Sequence, residues 1–346
     1  AQRIAVRFLG PLLKTFDKYV IIVIGVDFMA STKIKTLWIY KLLVENSDES
    51  HPISTTELIE MLRQNGVKCE RKSIYADIQT LNEVGFDIVT ATSPKKGFFM
   101  AGRDFELAQV RLLIDAVSSA GFITPKKTED LLKKLESLVS KNQAKELVSQ
   151  VYIDSDTKCD NEEIYYVIDA LHDAVLSKKK VKFVYKRRNI DVRNKKSYTE
   201  KTFVVSPYAL IWKDDHYYLV CNNQKYDNLL NLRLDRMKKI ETLDDDIRPV
   251  SEVSEYKDSL DVADYTSKMF NMYSGTTGKV RLLCDMDLRE EIIDRFGSRI
   301  PLTAVDSNHF ETQANVAISD GFVSWIMNFG SRIKVLEPED LAAAVK

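Results

Sequence analysis

Residues 203–237, FVVSPYALIWKDDHYYLVCNNQKYDNLLNLRLDRM, constrain the chain more than any other stretch. Three short apolar runs, at 203–205, 209–212 and 217–221, are separated by Ser-Pro and Lys-Asp-Asp. This spacing predicts strands joined by tight turns, and so a small β unit. The same stretch collects Tyr208, Tyr217 and Tyr218 and then Arg233 and Arg236, side chains that hold rings and anions. The expectation is a sensor, with the chain ahead of it as the part controlled.

At 346 residues the chain has room for two or three domains, and 45% hydrophobic with 29% charged residues is ordinary globular composition. Fifty basic residues against 51 acidic ones leave a net charge of −1. That balance excludes a uniformly basic protein and leaves local basic faces open. Cys69, Cys159, Cys221 and Cys284 form no C-x-x-C and have no histidine pair beside them, so neither a zinc knuckle nor a disulfide framework is expected. A reducing, cytoplasmic setting follows from that usage. The apolar run at 19–25 is far below the roughly 18–20 residues that span a bilayer, and no A-x-A cleavage site follows it, so no membrane anchor is expected. Met29-Ala-Ser-Thr-Lys33 reads like a natural start. Residues 1–28 are expected to be an extension without a role in the fold, with the boundary set at residue 30.

From Lys33 the pattern turns helical. Ile34, Leu37, Trp38, Tyr40, Leu42 and Leu43 predict a first helix ended by the polar run 46–50. Ser54-Thr-Thr-Glu57 is a capping box that opens a second, carrying Leu58, Ile59 and Leu62. After a turn at 66–69, a third runs over 71–81 toward Gly85 as its C′ residue. Two short helices around a glycine turn are the helix-turn-helix plan, whose second helix enters the major groove. Ile74, Ile78 and Leu81 must face the core, which turns Arg71, Lys72, Ser73, Tyr75 and Gln79 outward, types able to bond phosphates and base edges. Residues 87–90 and 97–100 predict a hairpin whose tip carries Lys95 and Lys96, a wing against the DNA backbone. The bland alternative is a three-helix bundle with a solvated face, since Glu70, Asp77 and Glu83 offset Lys68, Arg71 and Lys72. Residues 31–101 resemble the winged helix-turn-helix of DeoR-like bacterial transcriptional regulators. The likeness rests on the Arg that opens the third helix, the Asp77-Ile78 pair ahead of Leu81, and Gly85.

Residues 102–160 read as a helical linker. One helix carries Leu107, Val110, Leu112, Leu113 and Val117; a second, over 128–147, carries Leu131, Leu132, Leu135, Leu138 and Val139. Such stripes are core or a dimer seam, and symmetric dimers commonly read DNA half-sites, so a homodimer is expected. A further helix at 161–176 leads into 178–201, where eleven Lys or Arg face only Asp191 and Glu200. Any single lysine there reads as solvated charge. The whole cluster, beside strands bearing tyrosines, reads as a surface for a polyanion.

The strand 181–185, Ser206-Pro-Tyr-Ala-Leu210, His216-Tyr-Tyr-Leu219 and Leu232-Arg-Leu-Asp-Arg-Met237 resemble, in order, the motifs of the WYL domain, an Sm-like or SH3-like β-barrel of bacterial regulators. The name tripeptide is Tyr-Tyr-Leu here, at 217–219. The resemblance implies Tyr185, Ser206, Tyr208, Tyr217, Arg233 and Arg236 as ligand contacts, and a WYL domain over 161–250. On physical grounds Arg233 and Arg236, three apart, point oppositely in a straight strand and converge only where the strand ends or bulges near Leu234-Asp235. One of them then pairs with Asp235 or holds the barrel; Arg233 is preferred as the ligand contact. Tyr217 and Tyr218 must point oppositely, so one of them is a structural strand residue.

Residues 256–346 alternate β-α-β-α-β, a small α+β domain resembling the C-terminal extension that accompanies WYL domains. Asp287 reads as a helix cap in preference to a metal ligand. The chain is thus expected to be an α+β multidomain protein without cofactor or metal and without enzymatic activity. It would bind double-stranded DNA as a transcriptional regulator, under control of a nucleotide or nucleic-acid ligand. Two other classes share these features: a nucleic-acid-processing enzyme that holds substrate on the barrel, and a passive RNA-binding protein. His51, His172, His216 and His309 form no recognisable catalytic set for the former.

Overall fold

The computed structural model describes residues 32–148, 158–189 and 197–345. The extension at 1–28 and the basic run 193–196 lie outside them. The described residues form two compact units, one of 32–112 with 134–148 and the other of 113–133 with 158–345.

In the first unit α1 (Thr32–Asn46) and α2 (Thr55–Gln64) pack with α3 (Arg71–Glu83) over a hairpin of β1 (Ile88–Ala91) and β2 (Gly97–Met100). Their core holds Ile39, Leu43, Leu58, Leu62, Ile74, Ile78 and Phe98. Leu37, one of the apolar residues that predicted α1, is 66% exposed, while Ile39 is fully buried. The capping box forms: the Ser54 hydroxyl accepts from the Glu57 amide (3.3 Å), and the Ser54 amide donates to the Glu57 carboxylate (2.8 Å). Gly66 and Gly85 take the positive φ angles, 77° and 108°, that end α2 and α3. Ile53 exchanges two backbone bonds of 2.8 Å with Phe98, which anchors the hairpin to the entry of α2.

Three more helices follow, α4 (Leu107–Ser119), α5 (Pro125–Glu136) and α6 (Lys141–Val148). The continuous helix expected over 128–147 is therefore two. Ser140 breaks it with a second capping box, accepting from the Gln143 amide (3.1 Å) while its own amide donates to the Gln143 side chain (3.3 Å).

In the second unit α7 (Ile164–Ser177) lies on a five-stranded antiparallel sheet of β3 (Lys179–Asn189), β4 (Ser197–Lys213), β5 (His216–Asn222), β6 (Leu230–Arg233) and β7 (Met237–Asp246). The spatial order is β6-β5-β4-β3-β7. The edge strands β6 and β7 are not paired to each other, so the sheet is open and no closed barrel forms among the described residues. Ser206-Pro207 does not divide two strands as expected; β4 runs through it with a bulge between Pro207 and Ala209. A bulge leaves Pro207 without a required donor bond. Lys-Asp-Asp does turn the chain: Asp214 and Asp215 have φ of 50° and 57°, the pair of left-handed residues that a two-residue hairpin needs.

After α8 (Val262–Lys268) come β8 (Thr276–Asp285), α9 (Arg289–Phe296), β9 (Leu302–Ala304), β10 (His309–Ile318), α10 (Asp320–Met327), β11 (Ile333–Glu337) and α11 (Glu339–Val345). The sheet β11-β8-β10-β9 is antiparallel, the split β-α-β-β-α-β plan of ferredoxin-like domains. The three-residue β9 is too short to show a period in the sequence. Asp287 is not a cap; it sits in the 3-10 turn Met286–Leu288 with its carboxylate 3.6 Å from the Arg332 guanidinium.

Candidate nucleic-acid and ligand surfaces

Helical spacing divides α3 sharply. Ile74, Ile78 and Leu81 are buried, and Asp77 joins them by pairing with Lys35 (2.8 Å) and accepting from the Thr36 hydroxyl (2.8 Å). Arg71, Lys72, Tyr75 and Gln79 are exposed, while Ser73 is half-buried and donates to the Glu70 carbonyl (2.8 Å). The Gln79 amide donates to Glu83 (3.0 Å). Tyr75 leans toward the hairpin, its ring edge-on to Phe98 at 5.5 Å and its hydroxyl 3.2 Å from that of Thr55.

The two wing lysines are placed differently. Lys95 is bound to both oxygens of Glu57 at 2.7 and 2.8 Å. That bond, with the Ser54 amide behind it, lowers the Glu57 carboxyl to about 2. Lys96 instead lines a cavity of about 200 Å³ with Thr55, Thr56, Arg71, Tyr75 and Thr90. The three threonines were not singled out from sequence, though two of them belong to the capping box that was.

In the second unit, period-2 alternation decides where the six candidate ligand contacts lie. Phe203 and Val205 pack on the α7 side with Tyr185, Tyr217, Leu219 and Leu232. Beyond the bulge the odd-numbered Ala209 and Ile211 pack on the other side, with Tyr218 and Val220, and Leu210 takes the α7 side. One extra residue thus exchanges the faces of β4.

Tyr185 is buried among Phe183 and Phe203, and its hydroxyl accepts the backbone N–H of Arg233 (3.3 Å). Burial raises its pKa, and the nearby Arg236 opposes that rise. Tyr217 shares this side and stacks on Phe122 at 5.4 Å. Tyr218, its neighbour, faces the opposite cluster, as strand geometry demands.

Arg233 ends β6, and the 3-10 turn Leu234–Arg236 begins. Its guanidinium lies with Asp235 and with His216, which shares the parity of Tyr218 on β5. Ser206 and Tyr208 are held elsewhere. The Ser206 hydroxyl accepts from the Arg248 amide (2.9 Å), and the Tyr208 hydroxyl donates to the Arg248 carbonyl (2.8 Å). Burial pushes the Tyr208 hydroxyl up to about 12.

The six residues therefore do not converge. What gathers around Tyr185 is the exposed Arg236, Lys201 directly across the β3–β4 register, and Arg187 two residues along the same face. The Lys201 ammonium also lies 5.3 Å from the Phe203 ring. Lys201 and Arg187 were visible in the sequence only as members of a charge run. Register with Tyr185 is the signal that separates them from it.

Residues 166–242 match the WYL domain family, and residues 276–346 match the WCX domain. No curated protein matches the chain. Among solved structures, the proteasome accessory factor B/C (PafBC) of Arthrobacter aurescens is 16% identical, over 90% of this chain and 45% of that one, with a TM-score of 0.25. A CRISPR Cas-related protein is 12% identical, over 91% of this chain and 81% of that one, with a TM-score of 0.34. The chain spans less than half the length of the first of these structures. The second unit of the fold thus holds both matched stretches, the one similar to the WYL domain followed by the one similar to the WCX domain.

Proposed function

We propose that the chain is a DNA-binding transcriptional regulator, active as a homodimer, whose operator binding is controlled by an anionic ligand at the WYL domain. In this reading α1–α3 and the hairpin are a winged helix-turn-helix. The observation that carries it is the split of α3: Ile74, Ile78 and Leu81 buried, Arg71, Lys72, Tyr75 and Gln79 held to solvent behind a tight turn from α2 and beside the hairpin.

The WYL match supports the sensing half. Around Tyr185, the cations Lys201, Arg187 and Arg236 offer charge beside aromatic surface, which suits a nucleotide or nucleic-acid ligand. Control requires the ligand to bind the two DNA-binding states with different affinity.

Selection from a randomised duplex pool, followed by anisotropy titration of the selected operator with and without a single-stranded oligonucleotide, tests both halves. Failure to enrich any sequence removes the regulator reading. An operator affinity that the oligonucleotide shifts equally in the wild type and in Arg236→Ala/Lys201→Ala removes the assigned ligand surface. The protein is a binder in this proposal, so labelled DNA should remain intact with magnesium present.

A further inference from the structure

The geometry points to a phosphate seat in the cavity between α2, α3 and the hairpin, where Arg71 and Lys96 together grip one DNA backbone phosphate. Arg71 therefore positions the protein on the duplex and does not read a base. This inference rests on the DNA-binding reading above and deepens it.

Arg71 opens α3, Lys96 comes from the hairpin, and both line the same cavity. Hydroxyls add to the lining, from Ser54, Thr55 and Thr56 at the start of α2, Tyr75 from α3 and Thr90 from β1, and Gly97 and Phe98 of the hairpin close it. No carboxylate lines it, although acidic residues are close in sequence. Glu57 is occupied by Lys95 and the Ser54 amide, and Asp77 is buried against Lys35. The cavity therefore sets two cations and several hydroxyl donors around one opening with no carboxylate among them, the combination that holds an oxyanion.

A second sign comes from Tyr75. Its hydroxyl is shifted below the ordinary tyrosine value by its bond to Thr55 first, then by Arg71 and Lys96.

Size narrows the class of ligand. At about 200 Å³ the cavity is below the roughly 300–1,000 Å³ of small-molecule pockets, so it admits a phosphodiester group and not a whole nucleotide. Arg supplies a planar fork, Lys a point charge and Tyr75 a neutral donor. One phosphate held there would fix the angle of α3 and the hairpin to the duplex together, which leaves base reading to side chains further along α3, Gln79 first.

The test is a salt titration of the full chain on a fluorescein-labelled 30-base-pair duplex of mixed sequence, with a parallel selection from a randomised pool. Each phosphate contact contributes about 0.9 to the slope of log K against log salt. Because one phosphate is shared, Arg71→Ala and Lys96→Ala should each flatten the slope, and the double variant by no more than about 0.9 in all, with the selected motif unchanged. A double-variant loss near twice that would mean two separate phosphates. An unchanged slope, or a motif altered at one position in Arg71→Ala, overturns the inference.

If the wild type binds no duplex, the DNA reading itself fails, and inorganic phosphate then judges the cavity. Shifts of the Thr55 and Thr56 amide resonances with phosphate, lost in Arg71→Ala/Lys96→Ala, support an oxyanion seat. Amides unmoved by phosphate overturn it.

Discussion

The Arg233 guanidinium is closed onto Asp235, two residues further along the chain, through Nε–Oδ1 and Nη2–Oδ2 contacts of 3.0 and 2.6 Å. Such a fork is possible because β6 stops at Arg233 and the 3-10 turn carries Asp235 back beneath it. With the arginine side chain 23% exposed and the aspartate 9%, neither charge is well solvated. Asp235→Ala should therefore lower stability by about 1.5–3 kcal/mol, the range for hydrogen bonds to charged groups. The check is a lower urea midpoint at constant slope.

His216 lies against the same guanidinium, its Nε2 2.8 Å from Arg233 Nη1. Burial first, and the arginine charge second, hold its pKa below the ordinary 6.5. The unfolded chain then binds more protons at that position than the folded one as the pH drops below about 6.5. Stability from this group is complete above that pH and is lost as the pH falls through the lowered value. Thermal midpoints measured from pH 7.5 to 5 should fall less steeply in His216→Gln than in the wild type.

Ser140 joins two parts of the first unit. Besides capping α6, its hydroxyl donates to the buried carboxylate of Asp48, which also accepts from His51. Ser140→Ala removes the cap and leaves one Asp48 oxygen without that donor. The expected loss is about 1–3 kcal/mol, read by chemical denaturation. Ser140→Asp, which keeps a cap but sets two carboxylates together, should not rescue it.

Gly97→Ala forces a methyl group against the Ile53 carbonyl at 2.6 Å, a backbone atom that cannot swing aside. The substitution should cost about 1–3 kcal/mol as an overpacking change. Faster hydrogen exchange at the Phe98 amide, which donates to Ile53, would show the hairpin detaching.

How legible all this is in the sequence depends on the range of the signal. The capping box at Ser54, the glycines after α2 and α3 and the i, i+4, i+7 spacing of Ile74, Ile78 and Leu81 are local, and each reads directly. Ser140 carries the same kind of local signal, but the leucines around it made a continuous helix the stronger pattern. The bulge at Pro207 is different. Proline suggests an end to the strand, yet cross-strand pairing on both sides carries β4 past it, and the exchange of faces that follows scatters residues whose motifs sit close together. Likewise nothing in the order of residues says that Lys201 lies opposite Tyr185, because register is a property of two strands and not of one.

The cluster of Ala209, Ile211, Tyr218 and Val220 from the first sheet of the second unit is completed by Val253, Tyr265, Met269, Met272 and Ala317 from the chain beyond it. The segment between the two matched regions, with Ala317 from the second, therefore covers the outer face of the first sheet. Cutting the chain at residue 250 would not release an independent module; it would uncover an apolar sheet face with Tyr218 and Val220 at its centre. A fragment of residues 113–345, which keeps Phe122 and Ile123 in the sheet core, should accordingly melt in a single calorimetric transition and not as separable parts.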